Sequence, residues 1–139
     1  MHMIKVMYGK KGIGKTKFLV DTANNFASNS TGDVIFIDYN DQLLYNLKHE
    51  VRFINASEFP IKTSSDFTGF ICGLIAQDYD IKYIFIDGLT NIIKDSDDSS
   101  LEKFFNVIRE FSTKYNIEFF ISMSGESENM PHFIKEFVA

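Results

Sequence analysis

Cysteine and tryptophan are almost absent from this chain of 139 residues. Cys72 is the only cysteine, so no intramolecular disulfide can form. Its apolar surroundings in "FICGLIA" predict a small buried side chain rather than a reactive thiol. The fifteen phenylalanines, against no tryptophan, indicate a hydrophobic core rich in phenylalanine.

Long hydrophobic runs and an excess of positive charge are also missing. Charged residues interrupt every apolar run well short of roughly 18 residues, so no segment is predicted to span a membrane. The net charge of −5 disfavours free nucleic acid or an anionic membrane as the main partner, and no clear nucleic-acid face is predicted. Without disulfides or a signal peptide, we expect a cytoplasmic protein.

The composition is that of an ordinary globular protein, with 45% hydrophobic and 24% charged residues. The length fits one domain, predicted over residues 1–139. Predicted strands and helices alternate along it, and the strands are apolar on both faces, so both faces must be covered. We therefore expect a three-layer α/β/α fold with a mostly parallel sheet of four or five strands. The strands are predicted at 4–8, 33–38, 51–55, 82–87 and 117–124, and the main helices at 16–28, 67–79 and from about 99 to 115.

Two of these helices have start signals. Ser65 or Asp66 is the predicted cap of the 67–79 helix. Ser99 and Glu102 have the spacing of a capping box ahead of the helix that runs to about Tyr115. The segment "DSDDSS" (95–100) is predicted to be a solvated turn.

The segment "GKKGIGKT" (9–16) matches the pattern G-x-x-x-x-G-K-[ST]. It follows a predicted strand and opens a predicted helix, as phosphate binding by such a loop requires. Its glycines permit backbone conformations that let N–H groups converge on phosphate oxygens. Lys15 would reach the outer phosphates, and the Thr16 hydroxyl would bind Mg²⁺. The residues predicted to contact a nucleotide are Gly9, Lys10, Lys11, Gly12, Ile13, Gly14, Lys15, Thr16 and Lys17.

This loop in this context resembles the Walker A motif of the P-loop NTPase superfamily. The resemblance implies ATP and Mg²⁺ as ligands, and a Walker B strand of four apolar residues followed by Asp. Two segments qualify, "VIFID" ending at Asp38 and "YIFID" ending at Asp87. Chain order in Walker-type folds assigns Asp87 to Mg²⁺, together with Thr16, and leaves Asp38 to orient the attacking water. Ligands of open α/β sheets bind outside the carboxyl ends of the strands, where both carboxylates should lie.

Two subfamilies of P-loop ATPases compete. The loop is similar to that of the partition and septum-site ATPases, in which Lys10 would be the signature lysine that reaches across a dimer. In the same family, "IDYNDQ" is similar to the catalytic segment, with Asp38 in the matching place. Alternatively, "FIDGLTNI" (85–92) resembles the Walker B region of RecA-like ATPases, whose polar sensor would be Ser122 or Ser124.

The resemblance also has gaps that bear on catalysis. Gly88 follows Asp87 where many hydrolysing P-loop ATPases have Glu, and Arg52 and Arg109 are the only arginines. An arginine finger accelerates phosphoryl transfer by about 10³–10⁵-fold, and Lys10, acting in trans, is the candidate replacement. We therefore expect slow hydrolysis, with Lys15, Asp38 and Lys10 as the catalytic residues.

Three functions follow as hypotheses. The first is an Mg-ATP-binding switch with slow ATPase activity, whose nucleotide controls dimerisation or a protein partner. The second is a non-hydrolysing nucleotide sensor or regulatory subunit, and the third is a structural protein with a vestigial loop. ATP is preferred over GTP because no N-K-x-D motif occurs, and a small-molecule kinase is disfavoured because no Arg-rich lid is apparent.

Overall fold

The computed structural model describes residues 3–29 and 31–139. Within these residues, five parallel strands form one sheet in the order β1-β5-β4-β2-β3. The predicted α/β class and parallel sheet are confirmed. The predicted single domain over 1–139 includes Met1, His2 and Ser30, which lie outside the described residues. The strands are β1 (Ile4–Gly9), β2 (Asp33–Asp38), β3 (Val51–Asn55), β4 (Ile81–Ile86) and β5 (Glu118–Ser124).

Helices pack on both faces of the sheet. They are α1 (Lys15–Asn29), α2 (Ser64–Gln77), the single turn α3 (Leu89–Ile92) and α4 (Asp98–Tyr115). One hydrophobic cluster joins α1 to one face of the sheet through Leu19, Ala23, Phe36, Phe85 and Phe120. A second cluster joins α2 and α4 to the opposite face through Phe67, Ile71, Phe104, Ile108, Ile35, Ile84 and Ile121. The inner strands β2, β4 and β5 are largely buried on both faces, which explains why their sequences are apolar without alternation.

The connection between β2 and β3 has no α-helix. Residues 39–50 contain a single 3₁₀ turn, Leu44–Asn46, and Leu47 is the buried residue that packs this segment beside α1. Twelve residues are close to the minimum that a parallel crossover needs. The segment therefore returns the chain to the start of β3 without adding a layer.

The predicted caps of α2 and α4 are wrong by a few residues. The hydroxyl of Thr63 accepts from the Asp66 N–H, and Asp66 reaches back to the Thr63 N–H, so the capping box begins at Thr63. Helix α4 is capped by Asp97, which accepts from Ser100 N–H at 3.2 Å. Thr, Asp and Ser all stabilise helix starts, so the local pattern leaves several adjacent solutions.

Residues 96–99 of the predicted solvated turn are exposed, whereas Asp95 is half-buried and residues 98–100 already belong to α4. The Asp95 carboxylate accepts from the Ser64 N–H at 2.6 Å and from its hydroxyl at 2.8 Å. These bonds satisfy groups in the first turn of α2 that have no partner within the helix. The turn therefore ties the start of α2 to the segment that precedes α4.

The prediction that Cys72 is buried is also wrong, because this side chain is exposed. Helix α2 turns Phe67, Ile71 and Ile75 towards the sheet. Cys72 follows Ile71 by one residue, about 100° around the helix axis, and so points away from that face.

Strand β1 lies at one edge of the sheet, with β5 on its inner side. On its outer side Val6 forms an isolated parallel bridge with Val138, and the Ala139 N–H donates to the Val6 carbonyl at 3.1 Å. The carboxyl ends of β1, β5, β4 and β2 meet at the same end of the sheet. Across residues 3–29 and 31–139, no helix combines the length and the apolar character that crossing a bilayer requires.

Candidate functional site

Residues 9–16, here called the glycine-lysine loop, connect the end of β1 to the start of α1. Gly12 and Gly14 have φ angles of 88° and 94°, a left-handed conformation that side chains rarely adopt. The Phe18 N–H donates to the Gly14 carbonyl at 3.0 Å, so the hydrogen bonds of α1 begin at Gly14. The N–H groups that follow Gly14 have no partner within the helix. Because the first turn of α1 contains no acidic residue, this end of the helix is electropositive.

The Lys15 side chain is folded back over the glycine-lysine loop. Its Nζ donates to the Gly9 carbonyl at 2.7 Å and to the Lys10 carbonyl at 2.7 Å. Since an ammonium group has three N–H donors, one remains for a ligand. Burial lowers the pKa of Lys15 from its usual 10.5, opposed by the charge of Asp87 and reinforced by that of Lys11. The loop therefore holds the Lys15 ammonium group in a fixed position, where it is only partly solvated.

Thr16 and Asp87 lie against each other, as the predicted magnesium pair requires. The Thr16 hydroxyl is 3.0 Å and 3.2 Å from the two Asp87 carboxylate oxygens. Asp87 is buried, with 8% of its surface exposed. The Ser122 hydroxyl, at the end of β5, donates to Asp87 Oδ1 at 2.6 Å and accepts from the Gly88 N–H at 2.8 Å. Ser122 thus holds both the carboxylate and the turn that follows it.

A cavity of about 450 Å³ joins these groups. Of the nine predicted nucleotide contacts, six line it, whereas Gly9, Lys10 and Ile13 are not among the described residues that do. The full lining is Lys11, Gly12, Gly14, Lys15, Thr16, Lys17, Asp87, Gly88, Asn91, Ser122 and Ser124. Four lysine and glycine positions of one short loop therefore face a carboxylate and two serines across a single concave space.

Asp38 lies beside this cavity rather than in its wall. Ile37 pairs with Ile86 in the sheet, and the Asp87 N–H donates to the Ile37 carbonyl at 2.9 Å, so Asp38 ends β2 and Asp87 directly follows the neighbouring β4. Asp38 is 7% exposed, and its Oδ1 accepts from the Tyr39 N–H at 2.7 Å. Burial raises the pKa of Asp38 from 3.8 to about 6; the Tyr39 hydrogen bond opposes this rise and the charge of Asp87 adds to it. A carboxyl group of this kind is a better proton acceptor than an exposed aspartate.

Lys10 is not among the described residues that line the cavity. Its Nζ lies 3.5 Å from Glu126 Oε2, and both side chains are substantially exposed. Ion pairs of this kind contribute little to stability, so Lys10 is available to other partners. The sequence did not predict this contact, because a glutamate in a turn is common on protein surfaces and has no specific pattern.

Asn91 was not predicted from the sequence, and the choice between Ser122 and Ser124 as the sensor was left open. Asn91 lines the cavity from α3, one turn after Gly88. Gly88 has a φ of 70°, and a Cβ there would lie 2.8 Å from the Asn91 side-chain nitrogen. The Asn91 side chain can rotate away, so the left-handed backbone, rather than crowding, is the physical reason that favours glycine over glutamate at this position. Of the two predicted sensor positions, Ser122 contacts Asp87, and Ser124 lines the cavity.

The donor set fits phosphate and magnesium. Carboxylate and hydroxyl oxygens from Asp87 and Thr16 are the hard ligands that Mg²⁺ prefers, and Mg²⁺ commonly takes only one or two protein ligands plus substrate phosphates. The lysines and free N–H groups suit phosphate oxygens. In the part of the chain that the structure describes, no group of three or more His, Cys, Asp or Glu residues forms a metal cage by itself. Neither the family models nor the curated proteins contain a match to this chain.

Proposed function

We propose that the chain is a P-loop protein that binds Mg-ATP at the glycine-lysine loop, hydrolyses it slowly and uses the nucleotide state as a switch. One observation carries this proposal. The Lys15 ammonium and the Thr16–Asp87 pair border the same cavity, on a loop whose left-handed glycines Gly12 and Gly14 leave it open. No Cβ contact within 4 Å would arise at either glycine, so the space above the loop is free for a ligand.

Phosphate binding would rest on Lys15 and the start of α1. The free N–H of Lys15 and the N–H groups after Gly14 are directed donors, and charge-assisted bonds of this type are about twice as strong as neutral ones. Lys11 adds positive charge to the cavity lining, whereas the charge of Lys17 is offset by Asp21, whose Oδ2 lies 2.8 Å from the Lys17 Nζ. In a chain of net charge −5, this local concentration of lysine favours an anionic ligand at this place.

Magnesium would bind between Thr16 and Asp87. When bound, it supplies charge neutralisation and orientation of the phosphates. Ser122 keeps the Asp87 carboxylate in place, because its hydroxyl donates to Oδ1 at 2.6 Å. Thr16 would then turn its hydroxyl hydrogen away from Asp87, so that its oxygen lone pair is free for the ion.

Hydrolysis would depend on Asp38 as the group that accepts a proton from water. Its raised pKa, about 6, suits a general base near neutral pH. The position of Asp38 beside the cavity favours a slow reaction, as does Gly88, which stands in a left-handed conformation that disfavours a glutamate there. Lys10 would assist only from a second copy of the chain, after leaving Glu126.

The alternative is a non-hydrolysing nucleotide sensor or regulatory subunit. Asp38 does not belong to the described cavity lining, and this observation favours the alternative. Replacing Asp38 with alanine separates the two functions. A switch with Asp38 as the base loses turnover and retains ATP binding, whereas unchanged residual turnover eliminates Asp38 from catalysis.

Calorimetric titration of ATP, ADP and GTP with Mg²⁺ tests the proposal. Wild type should bind ATP saturably, and Lys15→Ala should weaken binding by about 10–150-fold, the loss expected for a hydrogen bond to a charged group. Lys103→Ala is the matched control, because it removes the same side chain from an exposed position of α4. Absence of binding to wild type at millimolar nucleotide would refute the proposal and support a vestigial loop or a site completed by a partner.

The switch has its own test. Analytical ultracentrifugation with ATP, with ADP and without nucleotide should reveal ATP-dependent dimerisation if Lys10 acts across an interface. Lys10→Ala should then reduce turnover without reducing the affinity of the monomer for ATP.

We propose the cytoplasm as the location of this protein. Cys72 is exposed and forms no disulfide, which suits a reducing compartment.

A further inference from the structure

A second concave surface borders the glycine-lysine loop on its other side, and we call it the β1-edge groove. We propose that this groove holds the base of the nucleotide whose phosphates lie on the glycine-lysine loop. The inference rests on the proposed function, because it extends the same ligand beyond its phosphates.

The β1-edge groove lies at the outer edge of the sheet. It encloses about 410 Å³, and its apolar walls are formed by Met7, Ile13, Phe18 and Val138. Val138 is held beside β1 by its bridge to Val6. The volume is within the range of roughly 300–1,000 Å³ that small-molecule sites occupy, and such sites are mostly apolar with few polar groups.

Continuity with the phosphate cavity identifies the occupant. Gly14 and Lys15 border both spaces, so the groove and the cavity adjoin along the same short stretch of loop. The Thr16–Asp87 pair lies on the inner side, towards β5 and β4, whereas the groove lies on the outer side of β1. A nucleotide has the matching polarity, with a charged end for the cavity and a flat base for the apolar groove.

The groove also leaves large side chains exposed. Ile13 is 62% exposed and Phe18 is 47% exposed, although they flank the loop and the first turn of α1. Ile13 folds over Gly9, where an added Cβ would lie 2.3 Å from its terminal methyl carbon. A base against the Phe18 ring would cover both residues, and stacking of a base on an aromatic ring tolerates any base because each has a π-face.

The composition of the groove predicts weak selectivity between bases. Among its described lining residues, only Tyr8 and Lys15 have side chains with a polar atom. Sites that reject the wrong ligand by roughly 10⁴–10⁵-fold do so with several buried hydrogen-bonding groups, which the groove lacks. We therefore expect the affinities for ATP and GTP to differ by less than about tenfold.

The test compares ATP with inorganic tripolyphosphate, which has the phosphates but no base. Both are titrated with Mg²⁺ into wild type, Phe18→Ala and Phe18→Tyr. Phe18→Ala should weaken ATP binding by at least about fivefold, the lower end of measured losses for a base–aromatic stack, and leave tripolyphosphate binding unchanged. Phe18→Tyr retains the ring and should bind both ligands as wild type does. Tyr79→Ala, an 88% exposed aromatic at the opposite end of the sheet, is the control for loss of a surface ring.

The possible outcomes separate the inference from the proposed function. If wild type binds both ligands and Phe18→Ala changes their affinity ratio by less than about twofold, the inference is overturned and the phosphate site stands. If wild type binds neither ligand, both proposals fail together. Alanine suits the first turn of a helix, and a thermal melt of Phe18→Ala that matches wild type assigns any loss to the groove rather than to unfolding. Ile13→Ala provides a second, independent variant, with the same direction of effect expected.

Discussion

Asp38→Asn should stabilise the folded protein at neutral pH, by an amount that disappears in acid. In the folded state Asp38 is buried, and its pKa rises from 3.8 to about 6. Between these values the folded chain holds a proton that the unfolded chain has released. Stability therefore falls as pH rises through this interval. Asparagine carries no charge, and its side-chain oxygen still accepts from the Tyr39 N–H.

The magnitude follows from linkage. A pKa raised from 3.8 to about 6 corresponds to at most roughly 3 kcal/mol of destabilisation well above that pH. About 1.4 kcal/mol of this develops between about pH 5 and pH 7.5, the interval in which the folded protein can be studied without strong acid. With a urea m-value of about 1–3 kcal/mol/M, the midpoint of the variant should move relative to wild type by about 0.5–1.4 M across that interval.

Urea unfolding of wild type and Asp38→Asn at several pH values measures this quantity directly. The samples should contain a chelator, because a cation at Asp87 would change the charge that Asp38 experiences. Taking the difference between the two proteins at each pH cancels the titrating groups that do not interact with Asp38. If the difference in unfolding free energy stays constant within about 0.5 kcal/mol, or grows towards acid, burial does not raise the pKa of Asp38 to about 6.

Three other substitutions test the packing around the site. Phe85→Ala should lower the free energy of unfolding by about 3–5 kcal/mol in urea melts, because Phe85 is fully buried with its ring 4.7 Å from that of Phe120; a loss below about 1 kcal/mol would contradict this. Ser122→Ala should lower the free energy of unfolding by about 1–3 kcal/mol and weaken Mg²⁺-dependent nucleotide binding, because it removes the hydroxyl that donates to the buried Asp87 Oδ1 at 2.6 Å. An unchanged calorimetric affinity would exclude a positioning role for Ser122. Gly69→Ala should raise the unfolding free energy by about 0.5–1 kcal/mol, since a Cβ there meets nothing within 4 Å in the middle of α2, and a lower melting temperature would contradict it.

Features that depend on neighbouring residues could be predicted from the sequence. The glycine-lysine loop was identified because its glycine and lysine spacing is local and chemically specific. The strands ending at Asp38 and Asp87 were identified because burial on both faces requires continuous apolar residues. Helix starts were predicted less well, since Thr63 and Asp97 compete with nearby residues of equal capping ability. Cys72 was misplaced because an apolar segment does not reveal which side of a helix faces the sheet.

The sequence by itself therefore determined the α/β class, the open loop and the identity of the groups at the strand ends. Only the tertiary structure decided that β5 lies between β1 and β4, which brings the Ser122 hydroxyl to Asp87, 35 positions away in the chain. It also decided that Asp38 stands beside the cavity and that Phe18 borders a groove next to Val138. Local sterics and periodicity act over a few residues, so they can be predicted from the sequence. Strand order and contacts between distant side chains depend instead on the packing of the whole core, to which every distant segment contributes.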